Sequence, residues 1–456
     1  MLGALSNQTY RRLLAAQILS VLGSGLITVA LGLLAYELAG SDAAMVLGIA
    51  LAIKMLAYVG LAPIAAALAV WIPRRGFLVT LDLCRAGLVL LLPFVTQVWQ
   101  IYILVFAFQA FSAAFTPTFQ ATIPDILTDE KDYTQALSLS RLTYDIESLV
   151  SPLLAGLLLS ILSFHFLFAG TALGFLLSCA FILSVTLPKP KDKIIPLSFS
   201  KRLTRGMWIY LNTPRLRGLL SLYLAVASAS AMVIVNTVVH VKETLALGDE
   251  FVALYFGAFG LGSIFVAIIL PRLFTRIKLR SIMIFGGMLL CFMLALAGFG
   301  RDILQTLLPS LIIWLFLGAG VSLIQTPSGL LLNRSCHEED RPAVFAAQFS
   351  LSHACWLLAY LAAGFLGTWY GLEITFIYMA VISGFGVILA MSLWPMADPK
   401  EIEHEHQELE HTHPFGDSAH HADASAEFIT PLHHTHKSLS HKHRFIIDDH
   451  HPKWPK

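Results

Sequence analysis

Residues 188–217 read PKPKDKIIPLSFSKRLTRGMWIYLNTPRLR, a polar, proline-bearing stretch with eight Lys and Arg that interrupts a chain otherwise greasy from its first turns to Trp394. Ahead of it lie six apolar runs, near 13–38, 44–71, 76–96, 99–121, 134–161 and 164–187. After it lie six more, near 218–241, 251–273, 281–299, 304–332, 343–369 and 373–396. A helix of roughly twenty apolar residues crosses a hydrocarbon core of about 30 Å, so each run is a candidate span. The composition agrees: 57% of residues are hydrophobic and 13% charged, where charged residues alone make up about a quarter of a soluble domain. The expected fold is an all-α membrane protein of about twelve spans. Two six-helix halves, 1–187 and 218–396, flank a basic linker at 188–217, and a polar tail, 397–456, follows.

The first run comes directly after Tyr10-Arg11-Arg12 and has no small-residue cleavage pattern leading into a soluble domain, so it reads as a retained span. Basic residues near spans stay on the cytoplasmic side. With the N-terminus inside, that side collects Arg11, Arg12, Arg74, Arg75, Lys131, the eight of the linker, Arg272, Arg276, Lys278, Arg280, Arg334 and Arg341, leaving Lys242 and Arg301 outside. An even span count then puts the tail in the cytoplasm too, and the expected location is a bacterial inner membrane. The net charge of +1 averages a basic inner face against an acidic tail, so it gives no sign of a nucleic-acid partner. Five dispersed cysteines with no C-x-x-C pair argue against a disulfide framework or a thiolate metal cage. No P-loop is present, which excludes ATP drive by this chain itself.

The two halves resemble each other. Late in the fourth span comes Phe115-Thr-Pro117, then Asp129-Glu130, Ala136-Leu-Ser138-Leu-Ser140 and Ala155-Gly156; late in the tenth comes Gln325-Thr-Pro327, then Glu338-Glu339-Asp340, Phe349-Ser350-Leu-Ser352 and Ala363-Gly364. Parallel repeats of six spans build transporters whose substrate site lies near the midplane between the halves. On these features residues 1–396 resemble the major facilitator superfamily. Three stretches look like its nickel-resistance exporters: Asn236-Thr237-Val238-Val239, Asp340-Arg341-Pro342-Ala343 and the run from Gln348 through His353 and Cys355 to Trp356. The resemblance implies export of Ni²⁺, with Co²⁺ as a second substrate, by proton antiport and alternating access. It also implies that Asn236 and Gln348 belong to the pathway. In the superfamily an acid precedes the basic pair between the second and third spans; here Arg74 and Arg75 are kept, but Val70 stands where the acid is expected. Asp82 and Arg85, one turn apart, are the candidate substitutes for that gating contact, with Arg141 joining the charge network.

Ionisable residues inside a bilayer cost a few kcal/mol each and are functional candidates by default. Lys54 lies mid-span in the second run, and Asp145 and Glu147 in the fifth. Aligning Gly156 with Gly364 puts Asp145 opposite His353, eleven residues before each glycine, and Glu147 opposite Cys355, nine before. Carboxylate and imidazole suit a borderline divalent metal. Residues two apart on a helix cannot both face one narrow path, so Asp145 and His353 are favoured for it, with Glu147 and Cys355 as packing or relay groups. Asn236 and His240, four apart, share a face of the seventh span. The structural alternatives are a Lys54–acid pair that fixes packing, a hydrogen-bonded core role for either histidine, and a small buried hydrophobe at Cys355.

The tail holds His404, His406, His411, His413, His420, His421, His433, His434, His436, His441, His443, His450 and His451, thirteen of the chain's 17 histidines. Acids such as Glu403, Glu405, Asp448 and Asp449 lie among them, without Cys or Met after Met396. Imidazoles in H-x-H and HH spacing suit Ni²⁺, Co²⁺, Zn²⁺ or Cu²⁺, whereas Cu⁺ prefers sulfur. Low hydrophobicity predicts a tail that is disordered without metal and folds only locally around ions, although Phe445-Ile446-Ile447 and Trp454 are apolar enough to dock. The bland alternative is a solubilising tail. Metal enters as substrate and tail ligand, no further cofactor is expected, and the other partners are protons and membrane lipid. Two rival functions remain: an exporter of a siderophore or drug-like molecule with a metal-buffering tail, and a non-transporting metal sensor.

Overall fold

The computed structural model describes the chain outside residues 1, 69–72, 128, 130–131, 133–135, 137–138, 141–142, 144–149, 152–153, 188–198, 274–275, 338–339, 397–401, 407–408, 413–425, 431–432, 437–438, 444–445, 448–453 and 455–456. Its main helices are α1 (Gln8–Ala39), α2 (Ala43–Leu68), α3 (Arg74–Leu91), α4 (Val98–Ile126), α5 (His165–Leu183), α6 (Phe199–Asn212), α7 (Pro214–Val239), α8 (Asp249–Leu273), α9 (Leu279–Phe299), α10 (Leu307–Asn333) and α11 (Arg341–Leu393). Among the described residues nine stretches are long and apolar enough to cross a membrane. Two of them, Gln8–Leu61 and Ala343–Leu393, hold a pair of spans each, so eleven of the expected spans have a described helix. The expected span at 134–161 falls largely outside the described residues, and Arg141, Asp145 and Glu147 lie outside them altogether.

The paired spans reverse at Gly40 (φ +53°) and, within α11, at Gly371 (φ +78°). Both values fall in the left-handed region where a Cβ is penalised, so glycine allows the hairpin. The spans are apolar on all sides because their outward faces meet lipid instead of water; Phe265, Ile268 and Ile388 are each about two-thirds exposed. In the N-terminal half α1 packs on α5, and α3 on α4 and α5; in the C-terminal half α7 and α9 pack on α11, and α8 on α10. The halves meet where α2 lies along α11 and where α1 and α2 touch α7. The chain thus has a terminal face, where α1, α7 and α11 begin, and a far face, where α1 meets α2.

Asp82 and Arg85 are three apart on α3, so both point into the N-terminal half, where they pair with each other. The Ser178 hydroxyl donates to the second Asp82 oxygen at 2.8 Å. The guanidinium sits 4.1 Å from the ring centre of Phe115 and 4.5 Å from that of Phe175. This corrects the gating expectation: the pair is a buried brace within one half, because its helix face is turned toward α4 and α5. Removing one partner of a buried pair strands the other charge and costs about 3–5 kcal/mol. Asp82→Ala is expected to lower the unfolding midpoint in detergent steeply, and the double change Asp82→Leu with Arg85→Leu to recover most of the loss. Equal midpoints for the single and double variants would contradict this account.

The linker is more ordered than its composition suggested. Its second part folds as α6, whose buried Ile209 and Tyr210 face the C-terminal half. Arg205 clamps Asp340 at the start of α11 through Nε to Oδ1 at 2.6 Å and Nη2 to Oδ2 at 3.2 Å, and the Tyr210 hydroxyl donates to Gln348 Oε1. Beyond Trp394, where no regular structure was expected, short segments pair: β1 (Ile402–His406) antiparallel with β5 (Leu439–His443), and β4 (His433–His436) between β2 (Leu409–Thr412) and β3 (Ala426–Thr430). The alternation of H-x-H is itself a strand period, with residues two apart on one face. The tail's histidine side chains lie outside the described residues.

Candidate functional site

Polar residues at helical spacing on three spans of the N-terminal half enclose a cavity of about 40 Å³, room for a bare ion or one or two waters. Helix α1 contributes Ser24, Ile27, Thr28 and Leu31; α2 contributes Leu51, Lys54 and Tyr58; α4 contributes Val105, Phe108, Gln109 and Ser112. The hydroxyl protons are already committed along their own helices: Ser24 to the Ser20 carbonyl at 3.0 Å, Thr28 to that of Ser24 at 3.2 Å and Ser112 to that of Phe108 at 3.0 Å. Their oxygens are left with lone pairs to offer. Gln109 Oε1 is buried without a hydrogen-bond partner among the described residues. The lining is therefore rich in acceptors, with Lys54 as its basic group.

Across the interface Tyr58 meets α11, its ring centre 5.9 Å from that of His353 and 6.1 Å from that of Phe349. The His353 ring lies tilted against that of Phe349, centres 3.8 Å apart, and its Nδ1 lies 2.6 Å from the Phe349 carbonyl oxygen. A carbonyl only accepts, so Nδ1 carries the proton and Nε2 keeps its lone pair. Ligating histidines are prepared in this way, one nitrogen tied to a backbone carbonyl and the other free for the metal.

Lys54 thus lines the cavity one turn from Tyr58, which meets His353 across the interface, and the other described candidates lie elsewhere. Asn236 is 1% exposed between α7 and α11, its Nδ2 donating to the Ala363 carbonyl at 3.2 Å. His240 is fully buried, stacked on Trp314 at 5.0 Å and edge-on to Tyr255 at 5.2 Å. Gln348 is held under α6 by Tyr210. Cys355, two residues from His353, is turned into the C-terminal core as the helical period requires. Arg74 pairs with Asp125 at the end of α4, and Arg75 donates to the Leu183 carbonyl, so the basic pair braces the terminal face of one half. Among the described residues no group of three or more His, Cys, Asp or Glu converges.

Sequence reasoning missed Tyr58, Ser24, Thr28, Gln109, Ser112 and Asp125. The signal was available for five of them, since Tyr58 is four residues from Lys54, Thr28 is four from Ser24, and Ser112 is three from Gln109, spacings that put each pair on one helix face.

Toward the far face the halves close tightly. The Tyr36 hydroxyl donates to Glu243 Oε1 at 2.6 Å, and the Met45 amide to Thr368 Oγ1 at 3.2 Å. A methyl built on Gly48 would lie 2.6 Å from the Tyr360 carbonyl oxygen and 3.0 Å from the Gly364 Cα. One built on Gly156 would lie 2.7 Å from the Ala253 Cβ on α8. The two glycines that anchor the sequence repeat, Gly156 and Gly364, each cross a helix of the opposite half.

Two bundles of spans around a central contact are the architecture of a secondary transporter. The sequence profile of the Major Facilitator Superfamily matches residues 13–307 and 219–444, and the chain belongs to that superfamily. It is 26% identical over 387 residues to an uncharacterised MFS-type transporter of Bacillus subtilis (strain 168), YfiS, covering 80% of this chain and 88% of that one. A bacterial homologue of the human lysosomal transporter Spinster, inward-facing and occupied, superposes with a TM-score of 0.67 at 10% identity, covering 84% of this chain and 95% of that one. The nucleoside transporter NupG superposes with a TM-score of 0.62 at 13% identity, covering 84% and 98%.

Proposed function

We propose that this transporter exports divalent transition-metal ions, Ni²⁺ first and Co²⁺ second, from the cytoplasm of a bacterium across its inner membrane in exchange for protons. The observation that carries the reading is the tract of thirteen histidines following the last span; the basic loops argue that it faces the cytoplasm. Imidazoles there take up ions and raise their concentration at the mouth of the path, as tethered sites do. His353 offers a lone pair at the inter-half contact, and Asp145, its counterpart in the repeat, would supply a carboxylate from the other half. Lys54 supports the exchange of charge. A dication entering beside an ammonium is repelled by several kcal/mol at an effective dielectric near 20, so metal occupancy and the proton on Lys54 exclude each other. Rocking of the halves would then carry metal outward and protons inward.

The test is uptake of radioactive nickel into inverted membrane vesicles with an imposed pH gradient, beside growth on graded nickel, cobalt and zinc. The reading expects uptake that collapses with the gradient, and nickel tolerance that weakens about three- to tenfold when the chain ends at Ala397, the range tethering commonly supplies or less. Unchanged tolerance to every metal with altered resistance to organic compounds would point to a siderophore or drug exporter. Altered metal responses without uptake would point to a sensor.

A further inference from the structure

The apolar end of the tail is seated on the protein. Ile446 and Ile447 are 6% and 0% exposed, and Ile447 belongs to the main hydrophobic core. Trp454 packs against the same core, its ring centre 4.9 Å from the guanidinium carbon of Arg215 at the start of α7. A cation over an indole is held more strongly the less water surrounds it, and Arg215 is only 8% exposed. A second observation agrees: β1 and β5 pair antiparallel with Ile402 opposite His443, so the first and last parts of the tract lie side by side.

We infer that this docking surface at the terminal face of the C-terminal half has the chain's own C-terminal segment as its partner, and that docking closes the histidine tract into a loop held at the mouth of the transport path. This deepens the exporter reading and rests on it for its consequence in transport. The consequence follows from chain statistics. His443 is 49 residues beyond Trp394, which for a free flexible tail is a root-mean-square separation of about 40 Å. With Ile447 seated, His443 is four residues from an anchor, about 11 Å. Local concentration falls roughly as the −3/2 power of tether length, so the late histidines gain tens of times in local concentration, while His404 and His406, already near the first anchor, gain little.

Full-length protein in lipid nanodiscs with p-benzoylphenylalanine in place of Trp454 is expected to photocross-link to the peptide that begins α7. Trp454→Ala keeps every histidine, so it is expected to leave the number of nickel ions bound and the maximal uptake rate unchanged. It should raise the half-saturating nickel concentration in inverted vesicles about threefold, within the loss expected for removing the whole tail, with Trp454→Phe restoring most of it. Absence of the cross-link, or an unchanged half-saturating concentration in Trp454→Ala, overturns the inference. Cross-linking of the p-benzoylphenylalanine protein together with no nickel uptake by the wild-type chain overturns the exporter reading and with it the role in capture, and leaves the docked segment standing.

Discussion

Gly48→Val is expected to reduce transport at least about 100-fold, a loss of roughly 2.8 kcal/mol in the conformational balance, while the protein still reaches the membrane. The first atom of any side chain at this position would lie 2.6 Å from the Tyr360 carbonyl oxygen and 3.0 Å from the Gly364 Cα. Both neighbours are helix backbone and cannot rotate aside. Small residues let helix backbones approach closely in a membrane, and overpacking such a contact costs about 1–3 kcal/mol or more. Valine's branched side chain would force α2 from α11 along the far face, where Tyr36–Glu243 and Met45–Thr368 also close the halves. The strain therefore falls on the state seen here, and the population shifts to states in which the far face is open. A transporter held open on one side does not cycle. Vesicle uptake checks the loss, and thiol labelling of a cysteine placed beside Thr368 checks its cause, with faster labelling expected in Gly48→Val. Gly87 is the control: a methyl there meets nothing within 4 Å, so Gly87→Ala is expected to transport normally. Normal transport by Gly48→Val would show that this crossing does not report the working cycle.

The architecture was legible because twenty-residue apolar runs have one structural solution in lipid, and because a basic interruption such as 188–217 divides them. The repeat was legible for a related reason: Gly156 and Gly364 recur since two symmetry-related crossings each require the absence of a side chain. Lys54 and His353 stood out as polar groups amid apolar neighbours; Lys54 lines the cavity and His353 packs on Tyr58, one turn further along the same helix as Lys54. What sequence could not supply was direction. Asp82 and Arg85 carry the same alarm as Lys54 but turn into their own half; Asn236 lies on a span at the interface yet spends its amide on the Ala363 carbonyl. Rotation of each helix about its axis decides between pathway and brace, and spans apolar on every side carry almost no periodic signal of that rotation. Tyr58 was missed because tyrosines in spans are commonplace, and α6 because a basic, proline-bearing segment was read as connection only. Its buried Ile209 and Tyr210 lie four and five residues beyond Arg205, a spacing that only the partner surface makes meaningful.

His353→Ala is expected to lower nickel transport at least about tenfold, and Asp145→Asn to do the same, with the double variant no worse than either alone. The Phe349 carbonyl fixes the His353 proton on Nδ1 and leaves Nε2 with a lone pair at the contact with Tyr58. One imidazole does not hold a labile metal selectively; on the proposed reading the second ligand comes from the other half, where the sequence repeat makes Asp145 the candidate. Ligands of one ion act as a unit, so removing the second after the first adds little, whereas independent sites more than about 7–10 Å apart add. The cycle thus separates a shared site from two separate packing roles without any structure of the loaded state. His353→Gln sharpens it: the amide can retain a hydrogen bond to Phe349 but offers a poor ligand for nickel, so packing alone predicts recovery and ligation predicts none. Additive losses, or full recovery in His353→Gln, would remove His353 from the path and leave the tail as the remaining candidate for binding metal.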